Sequence, residues 1–208
     1  MTTYAASLLD QVPVIPVVVL HDVEHAVPLA RALVAGGLPA IELTLRTPVA
    51  LEAIARIAAE VPGILLGAGT VLDADQAKAA ASAGAAFLVS PGSTPSLRAA
   101  LRDTGLPSLP GVSTVSEVLT LLEEGWTEMK LFPAEAVGGR ELLKALASPV
   151  PAARFCPTGG VAPHNAADYL ALPNVGCVGG SWLAPAALLQ ARDWDAISGL
   201  AKDAASLR

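Results

Sequence analysis

Lys130 is the residue of this 208-residue chain whose position most clearly predicts chemistry. It lies in the segment WTEMKLFP (126–133), which has the pattern of a short buried strand. A charged ammonium group is costly among apolar neighbours, so such a site favours the neutral amine. A neutral lysine amine is a nucleophile that condenses with ketones. The other lysines fall in segments with the pattern of exposed helix, and they are Lys78, Lys144 and Lys202.

Polar side chains alternate along the segment AIELTLR (40–46), which also has a strand pattern. Successive side chains of a strand point to opposite faces, so Glu42 and Arg46 share one face. Lys130 and Phe132 share a face by the same rule. Because the opposite face of each strand would meet helices, we expect these faces to point inwards. Glu42 is therefore expected to approach Lys130.

Two interpretations of this pair compete. In the first, Glu42 and Lys130 form a buried ion pair that contributes little to stability, because desolvation offsets the attraction. In the second, Lys130 is a Schiff-base nucleophile and Glu42 moves protons. The planar guanidinium of Arg46 would then bind a substrate carboxylate. The spacing favours the second interpretation.

Two glycine-rich segments follow apolar runs near the end of the chain. They are Thr158-Gly159-Gly160 and Gly179-Gly180-Ser181, and each precedes a helix start, near Pro163 and Pro185. Bare backbone amides beside a helix N-terminus can bind an anion. A single Gly-Gly pair is more simply a tight turn. Two of them, after the seventh and eighth runs, favour a phosphate site, because barrels commonly hold phosphate there.

Eight apolar runs set the architecture that must position these residues. They begin near residues 14, 40, 65, 86, 107, 128, 154 and 175. Each interval accommodates a strand, a helix and two short loops. The pattern predicts an α/β fold, a single-domain (β/α)8 TIM barrel over 1–208 with a short leading helix at 3–11. An open doubly wound sheet remains the alternative.

Helical segments between the runs carry recognisable starts and ends. In the second unit an apolar stripe at helical spacing predicts a helix, and it comprises Leu51, Ile54, Ala55 and Ala58. Hydroxyl or carboxylate caps are predicted at Thr47, Thr94, Thr114 (with Glu117 in a capping box), Asp22 and Asp73. Helix ends are predicted at Gly36-Gly37, Gly63, Gly84, Gly105 and Gly125. Four prolines in or beside the strands, at 13, 16, 110 and 157, resist this interpretation because they remove backbone donors.

Composition excludes several classes of function. A net charge of −6 without a basic cluster argues against nucleic-acid binding. No apolar run approaches the roughly 18 residues of a membrane span, and the N-terminus lacks the pattern of a signal peptide. Cys156 and Cys177 lie in apolar runs and are predicted to be buried and reduced, as in a cytoplasmic protein. His21, His25 and His164 have no spacing that builds a metal site, and His21 is expected at the solvated surface.

The chain resembles the 2-keto-3-deoxy-6-phosphogluconate (KDPG) aldolase family, also described as 4-hydroxy-2-oxoglutarate (KHG) aldolase. The likeness spans essentially the whole chain. It is carried, in order, by PVIPVVV, EHAVPLARALVAGG, IELTLRT, GAGTVL, SPG, PGVSTVSE, KLFPAE, RFCPTGG and GGSWL. The resemblance implies a class I aldolase on a (β/α)8 barrel that is a homotrimer and uses neither a metal nor another cofactor.

The resemblance also implies roles for individual residues. Lys130 would form an imine with pyruvate, and Glu42 would be the acid and base. The pyruvyl end would be held by Arg46, Thr70 and Pro91, with Phe132 beside the imine. Thr158 matches a position tied to the accepted face of the aldehyde. The phosphate pocket would comprise Gly159, Gly160, Gly180 and Ser181.

The implied substrate is KDPG, cleaved reversibly to pyruvate and glyceraldehyde 3-phosphate, with 4-hydroxy-2-oxoglutarate as a side substrate. Three alternatives stay open. One is a 2-dehydro-3-deoxy-6-phosphogalactonate aldolase, and another is a phosphosugar isomerase or epimerase that uses Glu42 as its base. The third is a non-catalytic barrel that serves as an assembly subunit, with Lys130 and Glu42 as a closed ion pair.

Overall fold

The computed structural model describes residues 7–207. Strands and helices alternate along this part of the chain. The strands are β1 (Val14–Val18), β2 (Ala40–Thr44), β3 (Leu65–Gly69), β4 (Phe87–Val89), β5 (Ser108–Leu109), β6 (Gly111–Val112), β7 (Glu128–Leu131), β8 (Arg154–Pro157) and β9 (Val178–Gly180). The α-helices are α1 (Ala26–Ala35), α2 (Ala50–Glu60), α3 (Ala74–Ser82), α4 (Pro95–Asp103), α5 (Val115–Glu123), α6 (Gly139–Ala147), α7 (Pro163–Leu170), α8 (Ala186–Ala191) and α9 (Trp194–Ala205). Short 3-10 helices span Leu8–Asp10, Val23–His25 and Glu135–Val137.

The strands pair in parallel in two sheets. One has the order β5-β4-β3-β2-β1-β9 and the other β6-β7-β8. Isolated bridges from Phe155 to Val175 and from Thr158 to Gly179 connect β8 to the chain around β9. The predicted parallel α/β class is confirmed, and the fold curls its sheets around an apolar core. The continuous eight-stranded barrel stays a prediction.

The eight predicted strand positions match the structure to within a few residues, but the fifth strand is divided. Pro110 separates β5 from β6, since it has no N–H to donate to a ladder. Its carbonyl still accepts a hydrogen bond from Lys130 N at 3.1 Å. Pro13 likewise accepts from Val178 N at 3.0 Å. Pro13 and Pro110 therefore lie beside the strands and serve as acceptors, whereas Pro16 and Pro157 lie within β1 and β8.

The predicted leading helix at 3–11 lies partly outside the described residues. Within them, the 3-10 turn Leu8–Asp10 is present, with Ser7 accepting from Leu9 N as its cap. Leu8 and Leu9 are buried against the core. This turn covers the amino ends of the strands, because Asp10 binds Arg154 at the start of β8.

Most predicted helix caps are confirmed, and one is wrong. The side chains of Asp22, Asp73 and Thr94 each accept a backbone N–H, and Thr114 forms the predicted capping box with Glu117. Thr47 does not cap α2, which begins at Ala50 without a side-chain cap. Its hydroxyl instead donates to the carbonyl of Leu20 at 2.6 Å and ties the segment after β2 to the segment after β1.

The predicted helix of the second unit is confirmed as α2, but its buried face differs from the apolar stripe. The helix buries Ala50, Ala53, Ile54 and Ile57, whereas three of the four residues of the predicted stripe are exposed. Apolar residues occur all round this alanine-rich helix, so helical spacing alone leaves its rotation ambiguous. The two long isoleucines, one turn apart, set the buried face.

The predicted helix-ending glycines and the predicted exposed lysines agree with the structure. Gly37, Gly63, Gly84, Gly105 and Gly125 all have positive φ, as predicted for residues that end helices. Lys78, Lys144 and Lys202 are exposed on α3, α6 and α9. None of the helices between residues 7 and 207 combines the length and apolar character that a membrane span needs.

Candidate active site

Lys130 and Glu42 lie at the heart of the candidate site. Lys130 is on β7 and Glu42 on β2, and each side chain is almost fully buried, with 4% and 2% exposure. Lys130 Nζ donates to Glu42 Oε1 at 3.2 Å. The ring of Phe132 lies 5.4 Å from Nζ. The alternation in the sequence thus correctly predicted that these two strands point a lysine and a carboxylate at each other.

Backbone register explains why the two groups meet. Glu42 lies opposite Val17 of β1 and Gly67 of β3. Lys130 lies opposite Gly111 of β6 and Cys156 of β8. Neighbours in a parallel ladder present their side chains to the same face, so small or apolar residues surround both charged groups. The pair is therefore desolvated on several sides, which strengthens its electrostatic interaction.

Arg46 and Thr70 form a second polar contact beyond the ends of β2 and β3. Arg46 Nε donates to Thr70 Oγ1 at 3.0 Å. Thr70 has a φ of 59°, a left-handed conformation that is uncommon for a β-branched residue and costs about 1–3 kcal/mol. The turn directs its hydroxyl towards the guanidinium. Arg46 is itself exposed, so its fork can reach a ligand from solvent.

Pro91 lies after β4, in a turn packed closely on β6. Its carbonyl group is so near Gly111 that an added Cβ there would be 2.4 Å from the oxygen. Ser90 is buried, and its Oγ accepts from Gly111 N at 3.2 Å. The turn that carries Pro91 is thus held against the strand next to that of Lys130.

The Gly159-Gly160 loop after β8 packs against the segment after β7. Both glycines have positive φ, of 96° and 83°. Glu135 N donates to Gly159 O at 3.0 Å, and an added Cβ on Gly160 would lie 2.4 Å from Glu135 Cγ. Glycine is needed here for both conformation and space. The loop has little freedom to move away from the strand of Lys130.

Glu135 and Tyr169 are residues of this region that sequence reasoning missed. The Tyr169 hydroxyl, from α7, donates to Glu135 Oε1. Burial and the hydrogen bond to the Glu135 carboxylate raise the pKa of Tyr169 well above its usual value. The available signal was the position of Glu135 inside KLFPAE, three residues after Phe132.

Thr158 is buried at the end of β8. Its hydroxyl faces Gly179, because an added Cβ there would lie 2.2 Å from Oγ1. The same hydroxyl lies 3.9 Å from the buried thiol of Cys156. Thr158 therefore occupies the interior between β8 and β9, one strand beyond Lys130.

Gly180 ends β9, and the next residue, Ser181, lines an open cavity of about 360 Å³. Ser181, Val17 and His21 are among its lining residues, so it runs along the carboxyl end of β1. Gly180 packs under the ring of Trp182. His21 is exposed, as the sequence predicts.

The structure brings the predicted residues together in three groups. The buried pair, with Phe132 beside it, lies inside the strands. The Arg46–Thr70 contact lies outside them, and the glycine segments after β8 and β9 flank Thr158. Residues 7–207 contain no cluster of three or more His, Cys, Asp or Glu side chains that could hold a metal ion.

The fold and this site define a parallel α/β enzyme whose polar groups gather at the carboxyl ends of its strands. The family model for KDPG and KHG aldolase matches residues 5–200. The KHG/KDPG aldolase of Escherichia coli is 52% identical over 202 residues, covering 97% of this chain and 95% of that protein. The 2-dehydro-3-deoxy-phosphogluconate aldolase of Pseudoalteromonas atlantica is 51% identical over 197 residues, covering 95% and 92%.

A solved structure of a KDPG aldolase is also similar to this chain. The KDPG aldolase of Legionella pneumophila, with pyruvate captured as a covalent carbinolamine intermediate, aligns with a TM-score of 0.93 and 44% identity. The alignment covers 95% of this chain and 96% of that one. The chain belongs to the KDPG and KHG aldolase family.

Proposed function

We propose that this protein is a lyase, a Schiff-base aldolase that cleaves KDPG reversibly to pyruvate and glyceraldehyde 3-phosphate. The buried contact of 3.2 Å between Lys130 Nζ and Glu42 Oε1 carries the proposal. It joins a nucleophile to a proton acceptor in a site shielded from water. The similarity to aldolases named for this substrate supports the same reaction.

The reaction begins at the substrate C2 ketone. The neutral amine of Lys130 attacks C2, and the carbinolamine loses water to give a protonated imine. Glu42 supplies and removes the protons of these steps. It then accepts the C4 hydroxyl proton while the C3–C4 bond breaks, and the bonding electrons enter the imine. Glyceraldehyde 3-phosphate leaves, and the remaining enamine is protonated at C3 and hydrolysed to pyruvate.

The surrounding residues orient the two ends of the substrate. Arg46 and Thr70 bind the pyruvyl carboxylate, because a guanidinium fork pairs with a carboxylate through two hydrogen bonds. Pro91 closes that end, and Phe132 packs beside the imine. Thr158 contacts the aldehyde portion. The phosphate pocket comprises Gly159, Gly160, Gly180 and Ser181.

We further infer that the two sheets close into one (β/α)8 barrel and that residues 1–208 form a single domain. The bridge between Thr158 and Gly179 supports closure between β8 and β9. On the other side, only Pro110 separates β5 from β6. One connected apolar cluster, which includes residues from Leu8 to Ala204, supports the single domain.

The assembly is proposed to be a homotrimer in the cytoplasm that needs no metal or other cofactor. Val115 and Leu119, four residues apart on α5, are 42% and 48% exposed and are suited to a subunit contact. The buried, reduced thiols of Cys156 and Cys177 agree with a reducing compartment. Light scattering should give the mass of three 21.0 kDa chains.

Steady-state kinetics with a coupled pyruvate assay tests the function. KDPG should give the highest kcat/KM, with the phosphogalactonate analogue and 4-hydroxy-2-oxoglutarate below it. Lys130→Ala should remove the activity on all three substrates. Deuterium exchange into a ketose phosphate without cleavage of any of the three would instead indicate an isomerase or epimerase.

A further inference from the structure

The carboxylate of Glu42 occupies space that exists only because residue 69 is glycine. A Cβ added to Gly69 would lie 2.0 Å from Glu42 Oε1 and 2.6 Å from both its Cδ and its Cγ. Contacts below 3.0 Å are essentially never made by real Cβ atoms, so one of the two groups would have to move. Oε1 is also the atom that accepts the hydrogen bond from Lys130 Nζ.

Backbone conformation does not explain this glycine. The φ of Gly69 lies outside the left-handed region, so alanine could adopt the same backbone. The ladder places Thr44 directly opposite Gly69 and Glu42 opposite Gly67. Glu42 therefore leans along its strand towards the carboxyl end, across the bare face of β3. What glycine provides at residue 69 is room for a side chain of the neighbouring strand.

A second glycine of the strand follows the same principle with a different neighbour. An added Cβ on Gly67 would lie 2.1 Å from the Phe87 ring, which is fully buried in the core. Gly67 thus accommodates core packing, whereas Gly69 accommodates an ionisable group. The two roles are separable, because each glycine faces a different side chain.

We propose that Gly69 is a positioning residue, whose missing side chain allows Glu42 to reach Lys130. The inference rests on the proposed aldolase function and names a further determinant of that site. Alanine at 69 pushes Oε1 away from Nζ. Misplacement of a catalytic group by about 1 Å can cost on the order of 100-fold in rate.

The test compares Gly69→Ala, Glu42→Ala and the double variant with the wild type. Gly69→Ala should lower kcat for KDPG by about 10–100-fold. KM should stay within about 3-fold, because the three atoms nearest an added Cβ at residue 69 all belong to Glu42. The rate of borohydride-trapped imine formation from pyruvate should fall in parallel. Gly199→Ala is the matched control, since a Cβ there meets nothing within 4 Å, and it should retain wild-type kinetics.

Thermal unfolding supplies a readout that is independent of turnover. Overpacking by one methyl group should lower the Tm of Gly69→Ala by about 4–8 °C. The same substitution in the Glu42→Ala background should change Tm little, because the side chain that it would contact is gone. If Gly69→Ala does not fold, recovery of folding in the double variant gives the same answer.

Three outcomes would overturn the inference. Unchanged turnover in Gly69→Ala would do so, as would an equal loss of Tm in both backgrounds or a double variant that stays unfolded. If one of these outcomes is found and the wild-type enzyme still cleaves KDPG, the proposed function stands and only this inference fails. A wild-type enzyme that neither cleaves KDPG nor traps pyruvate would overturn the function and this inference together.

Discussion

Each end of the strands carries a cation paired with carboxylates, but the two cations differ in burial and in their number of hydrogen bonds. At the amino end, Arg154 donates to Asp10 at 2.5 and 3.1 Å, to Ser7 at 3.0 Å and to Glu128 at 3.4 Å. The cluster is partly exposed. Towards the carboxyl end, Lys130 is buried, and within residues 7–207 its Nζ makes a single hydrogen bond, to Glu42.

This difference in pairing separates a cluster that stabilises the fold from a pair that is proposed to react. A guanidinium with several acceptors stays charged and ties the start of the chain to β7 and β8. An ammonium group has three donors, and protein atoms of the described residues use one of them. A buried amine with unused hydrogen-bonding capacity is suited to contact a substrate that enters the site. The amino end should therefore govern stability, and the carboxyl end should govern turnover.

The largest expected effect follows from replacing the buried pair with apolar groups, as in Lys130→Met/Glu42→Leu. Turnover should fall by at least about 10⁴-fold, because the proposed nucleophile and the proposed proton acceptor are both gone. Stability should be unchanged or rise by about 1–4 kcal/mol, as for other buried ion pairs replaced by apolar side chains. The coupled assay and urea unfolding measure the two quantities.

The converse change at the amino end is Arg154→Met. It should lower the free energy of unfolding by about 1–2 kcal/mol, since it removes a small charged network that is partly exposed. Turnover should stay at the wild-type rate. The loss of stability should shrink in 1 M salt, where the Debye length is about 3 Å. Turnover that slowed by an order of magnitude or more would mean that the two ends are not independent.

Tyr169→Phe sharpens the comparison within the carboxyl end. It removes the hydrogen bond to Glu135 and loosens the segment that packs on Gly159 and Gly160. KM for KDPG should rise by about 2–10-fold, the equivalent of one hydrogen bond. KM for 4-hydroxy-2-oxoglutarate, which has no phosphate, is the internal control and should not change. An equal rise in KM for both substrates would mean that Tyr169 does not act through the phosphate pocket.

The smallest expected effect is on acid stability. Burial would raise the pKa of Glu117, but hydrogen bonds donated by Ser113 and Thr114 outweigh it and hold the pKa below 4.5. Its contribution is therefore fully present above pH 4.5 and is lost as the pH falls through the lower folded value. Glu117→Gln should cost about 0.5 kcal/mol at pH 7 and less at pH 3, by urea unfolding. A loss of stability in Glu117→Gln that grew as the pH fell would contradict the direction of the pKa shift.

Much of the site could be predicted because strand alternation is rigid. Once β2 and β7 are recognised, a period of two residues places Glu42 and Lys130 on defined faces. Their contact followed, and the structure contains it. Glycine repeats likewise predicted where the chain turns, because positive φ leaves few alternatives.

The rest depended on features that a single strand or helix does not carry. The rotation of α2 does not follow from helical spacing, because alanines supply apolar residues on every side. Thr47 was mispredicted because its hydroxyl has a tertiary partner, the carbonyl of Leu20. Gly69 and Tyr169 act on residues of other strands and loops, so their roles appear only once register and packing are known.

Borohydride trapping of pyruvate tests the central claim most directly. Wild-type protein with saturating pyruvate should gain one reduced pyruvyl adduct, and peptide mapping should place it on Lys130. Lys144→Ala, which removes an exposed lysine, should gain the same adduct, and Lys130→Ala should gain none. An unmodified wild-type protein, or an adduct that persists in Lys130→Ala, would contradict the account.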